Sequence, residues 1–179
     1  MNFNELFKQI TPEQISESVF ALVGRIFPVV TAGRDGNYNS MVASGGGMGV
    51  LFKKPVAWCV FPKKRYTLEL IKKEQVYTLS YFPDEYREQF MFLGTKSGRE
   101  SNKMQEVELG AIKTPLRNMS FEEARLIIEC KLMLISTPDA DGFYSKEAKE
   151  YVSEIYKDPG EIREYVFGEM TNVWEKISN

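Results

Sequence analysis

The chain has 179 residues, 43% of them hydrophobic and 27% charged, enough for one domain with a real core and too few for two comfortable ones. Net charge is −2, with Lys and Arg scattered among Asp and Glu, so the concentrated basic face on which duplex binding rests is missing. Histidine is absent, which excludes Ser-His-Asp and Cys-His nucleophilic sites and the usual histidine-based zinc centres. No metal site is expected, and any chemistry must come from carboxylates, Lys, Tyr, a thiol or a bound cofactor. Cys59 and Cys130 each sit in an apolar run and read as buried strand thiols of a reduced protein, not as a disulfide. The sequence carries no N-terminal apolar leader and no long apolar span. The expectation is therefore a cytoplasmic protein with no membrane and no nucleic-acid partner.

In chain order, Thr11-Pro12-Glu13-Gln14 reads as a helix start, with Thr11 as cap, Pro12 at the first helical position and Gln14 completing a capping box. Residues 19–32 are β-branched and aromatic, hence one or two strands. Asp35-Gly36 is a hairpin turn signal before a strand from Asn37 to Ala43. Strands are expected from Pro55 to Phe61 and from Val76 to Phe82. Between them, Tyr66 to Lys73 has helical spacing, with Leu68, Leu70 and Ile71 apolar. Asp84 to Leu93 is a second helix candidate. Gly94 to Asn118 is the least regular and most polar stretch, and long loops of that kind are often functional. Ala124 to Thr137 reads as a long strand bulged at Cys130-Lys131. Lys146 to Tyr156 looks helical, with Ala148, Val152 and Ile155 on one face, and Tyr165 to Trp174 is a closing strand. Regular β-α alternation is missing, so a doubly wound parallel sheet does not fit. A mainly β, antiparallel, Greek-key-like barrel with peripheral helices does, as one domain over residues 1–179.

The stretch from Asn37 to Ala57 carries the most information. An alternating polar and apolar run ends in Gly45, Gly46, Gly47 and Gly49. A strand that breaks into clustered glycines lets a flat or anionic ligand approach the backbone; a flexible barrel corner is the bland alternative. Lys63-Lys64-Arg65-Tyr66-Thr67 then opens a helix. Cations and a hydroxyl at a helix N-terminus suit a phosphate, and a solvated basic loop is the alternative. Together these segments point to a phosphorylated planar cofactor.

Four segments in this order, N-S-M-V-A-S-G-G-G-M-G-V-L-F-K-K-P-V-A, R-Y-T-L-E-L-I, G-T-K-S-G-R-E-S-N-K-M and Y-V-F-G-E-M, resemble the flavin reductase-like family, which are FMN-binding split β-barrels including flavoredoxin-like members. The resemblance runs from Phe20 to Val173. It implies a homodimeric split barrel with FMN near the subunit interface. By resemblance, Asn39, Ser40, Met41, Val42, Ala43, Ser44, Gly45, Gly46 and Gly47 run beside the isoalloxazine ring, bonding its polar edge through backbone groups. Arg65, Thr67, Lys96 and Ser97 lie around the ribityl phosphate. The strand of Tyr165 and Phe167 approaches the ring from the other side. Many relatives carry tryptophan where Gly45 stands and threonine where Val42 stands. Lys103 closes the third segment; it could help hold a phosphate of FMN or of a pyridine nucleotide, although exposed surface lysine is its plainer role. Trp58 and Trp174 read as core or interface residues.

The function expected is an FMN-dependent oxidoreductase, an NAD(P)H flavin reductase or flavoredoxin-like protein. No protein side chain is expected to be catalytic, because the flavin carries the hydride and electron chemistry. NADH or NADPH would be the reductant, and free flavin, an electron-acceptor protein or a small molecule would receive the electrons. A non-catalytic flavin-binding carrier or store is the alternative. Alternation along the closing segment would put about half of Tyr165, Val166, Phe167, Met170, Val173 and Trp174 outside the core, an exposed aromatic patch suited to a homodimer interface.

Overall fold

The computed structural model describes residues 2–177. A one-turn helix α1 (Phe3–Leu6) leads into β1 (Phe7–Ile10). The Gln14 side chain accepts the Thr11 N–H at 2.8 Å, as the capping box requires, but the helix it opens is a single tight turn, Pro12–Gln14. The strand expected at the start of residues 19–32 is not formed. Val19–Ala21 is helical (α2) and runs on as a π-type turn over Leu22–Ile26. Leu22 is buried, Gly24 and Arg25 are exposed and Ile26 is half-buried. That is helical periodicity, and it overrides the β preference of Val and Ile, a weak prior. The turn stops at Phe27, whose φ is 64°. Only then does β2 (Val29–Arg34) begin.

Asp35-Gly36 makes the expected turn, with Gly36 at φ 78° and Arg34 opposite Asn37, so β3 is Asn37–Val42. The glycine run does not break the chain as expected. Instead Gly46–Leu51 is a strand, β4, paired with β5 (Lys54–Pro62). The reason is Trp58. A Cβ on Gly46 would overlap the Trp58 carbonyl oxygen, and one on Gly47 would overlap its indole. Glycine lets β4 lie across that residue.

Of the other elements, α3 (Tyr66–Glu74), β6 (Val76–Tyr81) and, after a tight turn, α4 (Arg87–Thr95) match the sequence closely. The short α5 (Lys103–Glu106), β7 (Ala111–Lys113) and β8 (Met119–Phe121) are unexpected, and β9 (Leu126–Ser136), α6 (Lys146–Ile155) and β10 (Arg163–Lys176) again match closely. The stretch expected to be irregular thus holds α5 and β7. The β9–β10 register slips on either side of Cys130-Lys131, leaving Met133 and Thr171 as the extra residues.

The main sheet is antiparallel in the order β3-β2-β6-β9-β10-β5-β4, with β1 beside the far end of β10, and β7-β8 form a separate ribbon. The ladder does not close into the expected barrel: β3 and β4 are its two edges. The chain crosses that split at residues 43–45. There the Ala43 N–H bonds the Pro28 carbonyl, and the Gly45 carbonyl accepts the Val60 N–H, both at 3.0 Å. These residues turn from one edge to the other instead of pairing the edges together.

Cys59 and Cys130 are free and buried, with Tyr77 and Tyr81. The closing strand alternates, with Tyr165 and Phe167 half-buried outside the core, but contrary to expectation it leaves no exposed aromatic patch. Val166, Met170 and Val173 are core. Trp174 is buried against Phe3, edge to face at 5.1 Å. Phe167 stacks on Trp58 at 5.8 Å. The exposed large apolar residues lie elsewhere, among them Phe20 in α2 and Val50 and Phe52 on the β4–β5 hairpin.

Candidate functional site

Two hollows flank the split. The first, about 280 Å³, is lined from β3 by Asn39 and Met41, from the entry to α3 by Arg65, Tyr66 and Thr67, from the segment after α4 by Lys96, Ser97, Gly98 and Arg99, and from α5 by Lys103. Two stretches far apart in sequence, Arg65/Thr67 and Lys96/Ser97, therefore meet as the resemblance implied.

Thr67 is buried, and its hydroxyl accepts from the Asn39 side-chain amide at 2.7 Å, which leaves the hydroxyl proton free to donate. The first N–H groups of α3 have no partner inside the helix. Five cations line the hollow, and three are committed. Lys96 pairs with Glu106 at 2.7 Å and lies over the Phe92 ring. Arg99 pairs with Glu69 and bonds the Lys64 carbonyl at 2.7 Å. Lys64 reaches Asp158 at 3.4 Å.

The other two have no carboxylate. The Arg65 guanidinium makes no hydrogen bond or ion pair among the described residues. Lys103 is 2% exposed and donates to the Leu93 and Lys96 carbonyls at 2.6 and 2.9 Å. Burial, and then the Arg65 charge, push its pKa down from the ordinary 10.5 to about 8. Two neighbouring cations without a counter-ion, beside a free hydroxyl and a helix N-terminus, suit the chemistry of a dianion. Lys103 is thus a buried member of the cavity wall and not the surface lysine of the plainer reading. Lys96 is the weaker candidate, being held by Glu106.

The second hollow, about 340 Å³, lies where Ser44 and Gly45 leave the split, walled by Val60, Arg163, Tyr165 and α6. Ser44 and Gly45 line it, together with Tyr165. Of the other proposed ring neighbours, Asn39 and Met41 line the first hollow, and the side chains of the rest are packed or paired. Ser40 is fully buried, its hydroxyl within 2.7 Å of that of Thr31. Val42 packs in the apolar cluster of Leu93, and Ala43 belongs to the main core. Gly46 and Gly47 pair with Cys59 and Trp58. Phe167 is covered by Trp58. Sequence reasoning missed Arg99 and the α6 residues of the second hollow, including Tyr151 and Tyr156; nothing in their spacing marks them. Among the described residues no cluster of three metal-ligating side chains occurs, and no helix is long and apolar enough to cross a membrane.

The sequence profile of the flavin reductase like domain matches residues 21–174. A search of curated proteins found no match. Among solved structures, an FMN-binding protein from Thermus thermophilus with bound 1-cyclohex-2-enone superposes with a TM-score of 0.65 at 18% identity, over 94% of this chain and 79% of that one. Flavoredoxin of Desulfovibrio vulgaris (Miyazaki F) gives 0.61 at 19%, over 91% and 75%. A 2-nitrobenzoate 2-nitroreductase from Pseudomonas fluorescens gives 0.60 at 17%, over 97% and 74%. At such identities the likeness is one of fold, a split-barrel sheet with peripheral helices. With the profile spanning nearly the whole chain, the protein belongs to the flavin reductase-like family.

Proposed function

We propose that the protein is an FMN-dependent oxidoreductase that takes hydride from NADH or NADPH. The observation that carries this is the pair Arg65 and Lys103, two cations without a counter-ion beside the Thr67 hydroxyl. In this reading Arg65, Lys103 and Thr67 hold the 5′-phosphate. The ring would lie along the backbone from Asn39 to Gly45, as far as the mouth of the second hollow, where Ser44 and Gly45 stand. When bound, the flavin supplies hydride acceptance and electron release. The chain itself binds, orients and shields, which fits a site without histidine. Free flavin, a partner protein or a small molecule would take the electrons.

A flavin carrier without turnover is the second reading. One observation favours it: α6 narrows the second hollow to about 340 Å³, near the lower end of small-molecule sites. The visible spectrum of the purified protein tests the flavin, and bleaching of the bound flavin by NADH or NADPH separates the two readings. A colourless protein that takes up no FMN contradicts both.

A homodimer is also proposed, through the edge at β4 where Phe20 and Phe52 are 90% and 70% exposed. Apolar side chains beside an unpaired strand edge favour association. Light scattering should give about twice the 20.6 kDa chain mass, and a monomer at micromolar concentration contradicts this. Two buried free thiols fit a reducing, cytoplasmic setting.

A further inference from the structure

The connection from β9 to β10 is longer than the fold requires. The two strands are antiparallel neighbours, with Tyr165 opposite Ser136, and such strands are usually joined by a hairpin of about two to five residues. Here residues 137–162 intervene. Their helix α6 starts at the Ser145 cap and is tied back by the Tyr156 hydroxyl, which donates to the Pro138 carbonyl. Of its ten residues only Val152 is buried. The segment adds little to the core, yet it forms one whole wall of the second hollow.

The chemistry of that hollow is selective. Tyr151, Tyr156, Tyr165 and Phe143 surround it, with Val60 and Val152 between them. It contains a single cation, Arg163. The Arg163 guanidinium comes no closer than 3.8 Å to a carboxylate, that of Glu161, so its donor fork is unspent. Tyr156 and Tyr165 lie near enough that, after burial, Tyr165 helps to raise the Tyr156 pKa, which keeps the Tyr156 ring neutral at ordinary pH. Aromatic walls match a flat ring, and an arginine fork matches a carboxylate bidentately. A volume of about 340 Å³ admits one or two fused rings and leaves no room for a dinucleotide or a peptide.

We propose that the cleft beneath α6 binds a small aromatic carboxylic acid, its ring among Tyr151, Tyr156 and Tyr165 and its carboxylate on Arg163. Ser44 and Gly45, at the end of the segment proposed to run beside the flavin ring, line the same cleft, so the acid would sit next to the place proposed for that ring. The inference deepens the flavin reading by naming a class of second substrate, and it rests on that reading only for the chemistry after binding, not for binding itself.

The test is calorimetric titration with 2-naphthoate and with its neutral analogue 2-naphthalenemethanol. The naphthoate should bind at one saturable site, at least tenfold tighter than the alcohol. Arg163→Gln should remove that tenfold and leave the alcohol unchanged, whereas Arg65→Gln should change neither. Should Arg163→Gln fail to fold, Ala148→Phe fills the cleft from a helix the sheet does not need, and it should abolish binding of both compounds. Equal affinity for acid and alcohol overturns the proposal. So does undiminished binding by Arg163→Gln or by Ala148→Phe. Loss of naphthoate binding on saturation with FMN also overturns it, because the cleft would then hold the flavin ring itself. The titration needs no flavin, so a failed FMN experiment leaves it standing, and its own failure leaves the FMN reading standing.

Discussion

The two hollows beside the split are built on opposite terms. The cation cavity is assembled from elements that the sheet needs in any case: the edge strand β3, the entry to α3 and the end of α4. Its polar groups are fixed by direct bonds, such as Asn39 to Thr67 at 2.7 Å and Lys103 to two carbonyls. The cleft beneath α6 is walled by a connection that the strands do not need, and its ligand-facing groups are aromatic rings and one loosely paired arginine. The first trades stability for charge, since a buried lysine beside an arginine is costly until an anion arrives. The second costs the fold little. In the proposed reading, an anion site fixed by direct bonds beside a separate aromatic cleft would suit a protein that keeps one cofactor and meets other molecules in turn.

The largest expected effect marks where fold ends and ligand begins. Gly46 faces its neighbouring strand, and a Cβ there overlaps the Trp58 carbonyl at a φ of 153°. Gly46→Ala should cost about 3 kcal/mol through overlap and strain. Thermal unfolding should then show a Tm lower by about 10 °C. Gly45 has only Val60 nearby, at 3.8 Å, so Gly45→Ala should leave the Tm in place. Equal effects would mean that the glycines are not divided between strand and site.

Next in size is Arg65→Ala, which should weaken FMN binding by about 1.5–3 kcal/mol, the scale of a charge-assisted hydrogen bond. Its effect on aromatic-acid binding should be nil. Lys103 gives a pH signature that the cleft lacks. Its pKa of about 8 lies below the ordinary 10.5, and a bound dianion would raise it again. The free site therefore loses its second cation as pH rises through 8, while the bound site keeps it. FMN affinity should fall as pH rises from 8 toward 10, by up to about tenfold per unit; the phosphate, with its second pKa near 6, is dianionic throughout. Lys103→Met should flatten the profile, and a sloping profile in that variant would assign the titration elsewhere.

The smallest effect concerns α6. Replacing residues 140–156 by a short turn removes one buried side chain, Val152, worth about 1.5 kcal/mol. The Tm should fall by about 4 °C, and the Arg65-dependent part of FMN affinity should be unchanged. Collapse of the fold would show that the connection is structural after all.

Much of this architecture can be read from the chain. The Asp35-Gly36 turn signal placed β3, and runs of β-branched and aromatic residues placed β5, β6 and β10, each within a residue or two, although only β10 alternates clearly between core and outside and β6 is buried on both faces. Three features could not be read locally. The π-type turn at Leu22–Ile26 carries the β-formers Val23 and Ile26, and the burial of Leu22 with the partial burial of Ile26 favours the helical form. Strand β4 has no hydrophobic pattern, since its glycines answer to Trp58 on another strand. Lys103 looks like any surface lysine until the Leu93 and Lys96 carbonyls are brought over its ammonium group. The cation cavity was legible through Arg65 and Thr67, whose helix start is a local signal. The aromatic cleft was not, because Gly45, Arg163 and Tyr151 meet only in three dimensions.

The central claim is that Arg65, Lys103 and Thr67 form a phosphate site for FMN. Parallel titration of the purified protein with FMN and with riboflavin, at pH 7 and physiological salt, isolates that phosphate. FMN should bind at least about thirtyfold tighter, the equivalent of roughly 2 kcal/mol from charge-assisted bonds, and the difference should largely vanish in Arg65→Ala. Equal affinity for the two flavins in the unmodified protein would contradict the account.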